Sequence, residues 1–359
     1  MTPDKARNIR RAVEALRAYD GPPVRIMEVC GTHTSVILKS GIPSLIPPGI
    51  KLISGPGCPV CVTPAAYIDR LVGLGAEEGR VIYSFGDMLK VPGTGPSLSL
   101  AKAAGAQVRL MLSPLEAAAA AVREPEKSFV VSAVGFETTA PSFALLLDEI
   151  TEKGIENIKL LTALKTTPAA IDYICANERG IDAFICPGHV SVVTGTAPFK
   201  ALSEKYGRPF VVAGFEGGYI IAAVLEIIRQ LKAGAPAMRN LYGSVVSDVG
   251  NAAALAAVYK YFEPADAFWR GIGAIKGSGL ALRREYAHLD AGDTAPDTTD
   301  IGGDALPPGC GCGGVIMGRL NPDECPLFGT ACLPEDPIGP CMVSAEGACG
   351  IWYRFKGKI

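Results

Sequence analysis

From residue 24 to about residue 238 the chain alternates short apolar runs with longer segments of helical pattern. "VRIMEVC", "KLISG", "RVIYSFG" and "AQVRLML" read as strands, and segments near 64–76, 97–105 and 114–123 read as helices. After a charged link, "REPEK" at 123–127, the rhythm restarts with "SFVVSAVGF", a helix near 139–153, "IKLLTAL", a helix near 168–179, "AFICPG", "PFVVAGF" and a helix near 218–233. Strands joined through helices run parallel, so the pattern predicts an α/β protein with parallel sheets covered by helices. The expected architecture is two Rossmann-like α/β domains, 20–124 and 127–238, facing a cleft. An irregular C-terminal domain, 239–359, follows them, with a charged amphipathic helix over 4–19 placed against it.

Composition removes several function classes. Basic and acidic residues number 34 and 36 and are scattered, so neither nucleic acid nor an anionic membrane is expected as a partner. The first twenty residues carry charges throughout, and runs such as "FVVSAVGF" and "YIIAAVLEII" fall short of the ~20 residues of a membrane span. The chain is therefore expected in the cytoplasm. There eleven cysteines are kept as thiols, which points to metal or redox chemistry rather than a disulfide scaffold.

Six of the eleven lie in the last fifty residues, at 310, 312, 325, 332, 341 and 349. Gly, Pro and Asp separate them, and the stretch "DAGDTAPDTTDIGGDALPPG" before them is polar and turn-rich. Such a segment cannot build an apolar core, so an inorganic centre is expected to hold it. Loops bring four thiolates to an iron–sulfur cube more readily than strands do, and the C-x2–4-C pairs usual in structural zinc sites are absent after Cys312. Iron–sulfur is favoured on that ground, and zinc stays open.

The other candidates sit at strand ends, where open α/β sheets bind ligands. Cys30 closes "VRIMEVC" ahead of a helix, whose amides are expected to lower the thiol pKa and fit it for metal. Cys58 and Cys61, in "GPGCPVC", read as a dithiol that cycles to a disulfide, as half a metal site, or as buried thiols. His33 and His189, in "CGTHT" and "PGHVS", follow two strand ends and suggest a shared cleft. Glu137 in "GFETT" is a further cleft candidate or a first-turn helix carboxylate. His288 reads as surface. "GCGCGG" follows no expected strand and opens no expected helix, so it is not read as a phosphate loop.

Taken in order, "MEVCGTHT" (27–34), "GPGCPVC" (55–61), "FGDMLKVPG" (85–93), "GFETTAP" (135–141), "PGHVSVVTG" (187–195), "WRGIG" (269–273), "CPLFGTAC" (325–332) and "SAEGAC" (344–349) resemble the HypD family of [NiFe]-hydrogenase maturation. The resemblance runs the whole length. It implies a C-x12-C-x6-C-x16-C set for a [4Fe–4S] cluster, which falls on Cys312, Cys325, Cys332 and Cys349. Cys310 lies outside that set and could replace Cys312, and Cys341 reads as a bystander.

The resemblance further implies that Cys30 is the iron-holding thiolate and that Cys58/Cys61 is a redox pair. The function it implies is a scaffold, rather than a turnover enzyme, on which a transient Fe(II) unit, Fe(CN)2(CO), is assembled for a hydrogenase large-subunit precursor. A HypC-type chaperone and a HypE-type cyanide donor are the implied partners. "GFEGGY" (214–219) departs from the family's usual GFEP with a following acidic residue. The rival reading of the same cysteines is a stand-alone thiol–disulfide oxidoreductase similar to ferredoxin–thioredoxin reductase. A zinc-stapled ligand-binding module is a third.

Overall fold

In a computed structural model that describes residues 3–292 and 306–355, the expected strands form where the apolar runs lie, and the sheets they join show the domain plan. In chain order the strands are β1 (Val24–Glu28), β2 (Ile50–Ser54), β3 (Arg80–Ser84), β4 (Val108–Leu110), β5 (Ser128–Gly135), β6 (Ile158–Lys165), β7 (Ala183–Pro187), β8 (Phe210–Ala213), β9 (Met238–Asn240), β10 (Phe262–Trp269) and β11 (Gly273–Leu282). They make two sheets, ordered β2-β1-β7-β8-β9 and β10-β11-β6-β5-β3-β4. The chain accordingly divides into one unit of Met1–Cys58, Ala170–Asn251 and Gly309–Ile359 and another of Pro59–Ala169 and Ala252–Pro308.

This differs from the expected consecutive segments 20–124, 127–238 and 239–359. The physical reason is that β1 pairs with β7, in register Ile26↔Ala183 to Glu28↔Ile185, across a long stretch of intervening sequence. Periodicity reports strands but not their partners. Most of the polar stretch before the terminal cysteines, 293–305, lies outside the described residues.

In the first unit every strand pair is parallel. β7 and β8 are buried along their whole length, as strands covered on both faces must be. Phe184 and Phe210 stack across the β7–β8 pair at 4.7 Å. The order is that of a flavodoxin-like sheet, whose connections leave in opposite directions from β1 and β7 and so open a crevice beyond their carboxyl ends. The Pro3–Arg17 helix packs on the Gly217–Ala233 helix of this unit rather than on the terminal cysteine segment, where it was expected.

That terminal segment is no separate domain. Arg319 pairs with Glu178 at 2.7 Å, Arg25 donates to the Gly318 carbonyl, and the Ala348–Phe355 helix buries Ile351 and Trp352. A five-residue helix, Cys312–Ile316, does open within "GCGCGG", contrary to expectation.

The second unit repeats the parallel theme in β4-β3-β5-β6 and then extends it with the antiparallel hairpin β10–β11. Phe129, Phe143, Leu147, Leu160, Tyr261 and Phe262 form its core. The hairpin left little trace in the sequence: Pro264 interrupts β10, a register shift falls between Ala265 and Ala267, and β11 bends through Gly277 at φ +61°. Trp269 nonetheless fixes the hairpin, donating from its indole to Ser278 Oγ at 2.8 Å.

Candidate functional site: thiols at a switch point

Cys30 stands at the helix N-cap position with extended backbone, φ −159° and ψ 119°, directly beyond β1 and ahead of the Gly31–Lys39 helix. The backbone amides of His33 and Thr32 act to lower its pKa, as a helix N-terminus should, although neither makes a capping hydrogen bond to the sulfur. They do not win. Burial pushes the thiol up to about 12, and the Glu28 and Glu346 carboxylates add to that, so the expected lowered pKa is not found. Although part of the residue's surface stays open to solvent, the sulfur itself is packed around by protein, and the expectation omitted that desolvation. A metal would have to displace the proton.

Sequence reasoning missed Glu28 and Glu346. Glu28, 1% exposed, accepts the Cys30 amide at 3.0 Å and the Thr34 hydroxyl, and burial raises its pKa to about 7. A carboxylate two residues before Cys30 at a strand end was the available signal. Glu346 approaches from "SAEGAC": a Cβ on Gly31 would lie 2.4 Å from the Glu346 carbonyl oxygen, so only glycine lets the two segments meet.

His33 and His189 are brought together, and by an aromatic ring that sequence reasoning did not single out. Phe215, following β8, stacks on His189 at 3.8 Å and 20° and lies 5.0 Å from His33. His33 has no exposed surface, and neither ring nitrogen has a hydrogen-bond partner of good geometry. Burial therefore lowers its pKa to about 4, only weakly offset by the Ala213 backbone. His189 is exposed, yet burial of part of its ring lowers its pKa as well. Both imidazoles are thus held neutral and able to accept or bind a ligand. His288 is exposed, as read.

Cys58 and Cys61 are disulfide-bonded. They are only 5% and 2% exposed, within the 0–5% range of Cys186 and Cys175, so the pair is as closed to solvent as thiols in strand and helix. The loop folds tightly over its own sulfurs: Thr63 donates from its hydroxyl to the Pro59 carbonyl at 2.9 Å. It also crowds the Cys30 turn, since a Cβ on Gly57 would sit 2.6 Å from the Cys30 nitrogen.

Glu137 belongs to the second unit, where its carboxylate accepts the Thr167 amide at 2.7 Å and the Thr167 hydroxyl at 2.9 Å. It therefore caps the start of the Thr167–Asn177 helix, and burial raises its pKa to about 7. This places Glu137 nearer the structural role weighed for it than the cleft role.

Cys310, Cys312, Cys325, Cys332 and Cys349 line one small cavity with Leu327, Phe328 and Met342. Backbone amides point at two of these sulfurs, Gly311 at Cys325 and Ile338 at Cys332, each at 3.4 Å. Cys349 is held below its ordinary value, at about 6, by hydrogen bonds from Cys312 and Cys341. Cys341 is pushed up by its bonds to Cys312 and Cys349 and by burial, and it does not line the cavity.

Among the described residues no three His, Cys, Asp or Glu side chains are arranged as a single-ion site. One ion draws its ligands to a point, whereas an iron–sulfur cube holds thiolates apart at its corners, so the shared cavity is the observation that bears on a cluster. Several thiols and two sulfur-directed amides fit such a group. Its ligands would be Cys325, Cys332, Cys349 and Cys312, with Cys310 equally placed at the cavity.

The HypD family model, described as "Hydrogenase formation hypA family", matches residues 4–356. The hydrogenase maturation factor HypD of Rhodobacter capsulatus is 40% identical over 361 aligned residues, covering 97% of this chain and 94% of that one. A putative hydrogenase expression/formation protein of Methanocaldococcus jannaschii is 40% identical, with 97% of both chains covered. The HupD hydrogenase expression/formation protein of Azotobacter chroococcum is 39% identical, covering 96% and 93%. Agreement along nearly the whole length means that this chain belongs to the HypD family of hydrogenase maturation factors.

Proposed function

We propose that this chain is a cytoplasmic scaffold that holds iron at Cys30 while the Fe(CN)2(CO) unit of a [NiFe]-hydrogenase is assembled. A HypC-type chaperone would share the iron, and a HypE-type protein would supply cyanide. Among the described residues no helix is long and apolar enough to cross a membrane. The observation that carries the reading is a packing relationship within the first unit: the Ala348–Phe355 helix, which bears Cys349, lies on the Gly31–Lys39 helix that starts at Cys30. The Cys30 thiol at a sheet switch point and a cavity lined by cysteines are thereby carried on packed helices of one unit.

Each side chain then has a task that follows from its surroundings. Cys30 gives up a proton when iron binds, and Glu28, with a pKa of about 7 and bonded to the Cys30 amide, can take it near neutral pH. His33 and His189 stay neutral and present ring nitrogens rather than positive charge to an anionic iron unit. Soft thiolate and strong-field diatomic ligands suit low-spin Fe(II). A [4Fe–4S] cluster held by Cys312, Cys325, Cys332 and Cys349 would supply electrons one at a time. The Cys58/Cys61 pair stores two.

The test is anaerobic purification of the chain with its HypC-type partner, followed by iron and sulfide analysis and infrared spectroscopy. Cyanide and carbonyl bands on iron beyond that of the cluster are expected. A complex with cluster iron alone and no such bands, in cells competent for maturation, would leave the oxidoreductase as the better account.

A further inference from the structure

Two motifs left without a role, "FGDMLKVPG" and "WRGIG", meet in the second unit at Arg270. This is one of the largest side chains wholly withdrawn from solvent, at 2% exposure. Its Nη1 donates to the Pro92 carbonyl at 3.0 Å, its Nε has no partner, and no ion pair among the described residues includes it. A guanidinium cannot shed its proton to escape burial, so one neutral acceptor leaves its charge largely uncompensated.

The main chain ties Arg270 to the dithiol loop. The Arg270 amide donates to the Val62 carbonyl at 2.9 Å, and Val62 directly follows Cys61. As a disulfide the Cys58/Cys61 pair is neutral and buried. Reduction creates sulfurs in the same dry place, where a thiolate persists only beside a fixed positive charge.

We propose that Arg270 is a positioning residue that supplies the fixed counter-charge of the reduced Cys58/Cys61 pair. The proposal rests on the redox role given to that pair above and deepens it. With a dithiol as reductant, the dithiol's two sulfurs close into a disulfide and the Cys58–Cys61 bond breaks. One cysteine sulfur takes a proton, the other remains thiolate, and the second proton leaves to solvent.

The test equilibrates the full chain with reduced and oxidised dithiothreitol and reads the alkylation of Cys58 and Cys61 by mass spectrometry. Arg270→Gln removes the charge and Arg270→Lys keeps it, while both retain the amide bond to Val62. Arg270→Gln is expected to shift the equilibrium about tenfold or more toward the disulfide, which is about 30 mV for a two-electron couple, and Arg270→Lys to stay within about threefold of the wild type.

Equal constants for all three proteins would overturn the proposal, because a purely structural anchor leaves the potential unmoved. Melting in both redox states gives a second reading: Arg270→Gln should be tolerated in the oxidised chain and should lower the melting point of the reduced one. Failure of oxidised Arg270→Gln to fold would overturn the proposal too, by showing that the disulfide form already needs the charge. A wild-type pair that dithiothreitol cannot reduce reversibly would instead remove the redox reading itself, whatever the variants do.

Discussion

The rings of His189 and Phe215 stack 3.8 Å apart, and the fully buried His33 lies 5.0 Å from the same Phe215 ring. One phenyl ring thus contacts both an exposed imidazole and a dry one. Phe215→Leu should cost about 1 kcal/mol of stability from the lost ring contact and admit water to His33. The His33 titration, followed by NMR among only three histidines, should then rise from about 4 toward its ordinary value. A midpoint unmoved near 4 would show that some other group keeps His33 dry.

Glu137 makes stability depend on pH in a stated direction. Its folded-state pKa is raised by burial from 4.5 to about 7, so the folded chain holds a proton that the unfolded chain has released between those values. The contribution is full below about 4.5 and is lost as pH rises through about 7, by at most about 1.4 kcal/mol per pH unit. Denaturant midpoints between pH 5 and 8 should therefore fall less steeply for Glu137→Gln than for the wild type. Parallel profiles would mean that Glu137 is ionised throughout.

Gly57→Ala tests the crowding of the Cys58 loop against the Cys30 turn. Its Cβ would meet the Cys30 backbone nitrogen at 2.6 Å and Cα at 2.7 Å, neither of which can swing aside. A loss of about 1–3 kcal/mol is expected, with reduced iron retention at Cys30. Wild-type stability, read from urea unfolding, would refute the close approach.

The terminal cysteines separate by position. Cys325→Ala and Cys332→Ala should abolish bound iron and sulfide and loosen the C-terminal segment, whereas Cys341→Ala, which touches Cys312 and Cys349 from outside the cavity, should keep both. Comparing Cys310→Ala with Cys312→Ala decides between two thiols that line the cavity alike. Equal loss of iron in the Cys341 and Cys332 variants would redraw the ligand set.

Much of this was legible in the sequence because it is local. "VRIMEVC" and "SFVVSAVGF" became β1 and β5, and the helix over 139–153 appeared as Ala140–Lys153, since apolar period and helix ends are written in neighbouring residues. What failed was non-local or depended on desolvation. The pairing of β1 with β7 interleaves the two units, and no window of sequence contains both strands. The β10–β11 hairpin was hidden by its proline and bulge. At the candidate site, residue type and strand-end position singled out Cys30, His33 and His189, and the last two do meet at one ring. The phenyl ring shared by the histidines and the rise of the Cys30 thiol to about 12 come from packing that the residues nearby in sequence do not announce.

The central claim is that Cys30 holds the iron, and infrared spectroscopy of the Cys30→Ser complex with the HypC-type partner tests it most directly. Serine keeps the volume but offers a hydroxyl that stays protonated and binds low-spin iron poorly. Cys30 is not among the thiols lining the terminal cysteine cavity, so cluster iron and sulfide should remain at wild-type stoichiometry. The predicted spectrum lacks the cyanide and carbonyl bands expected of the wild-type complex, and hydrogenase maturation fails. A Cys30→Ser complex that still carries those bands and still supports maturation would contradict the account.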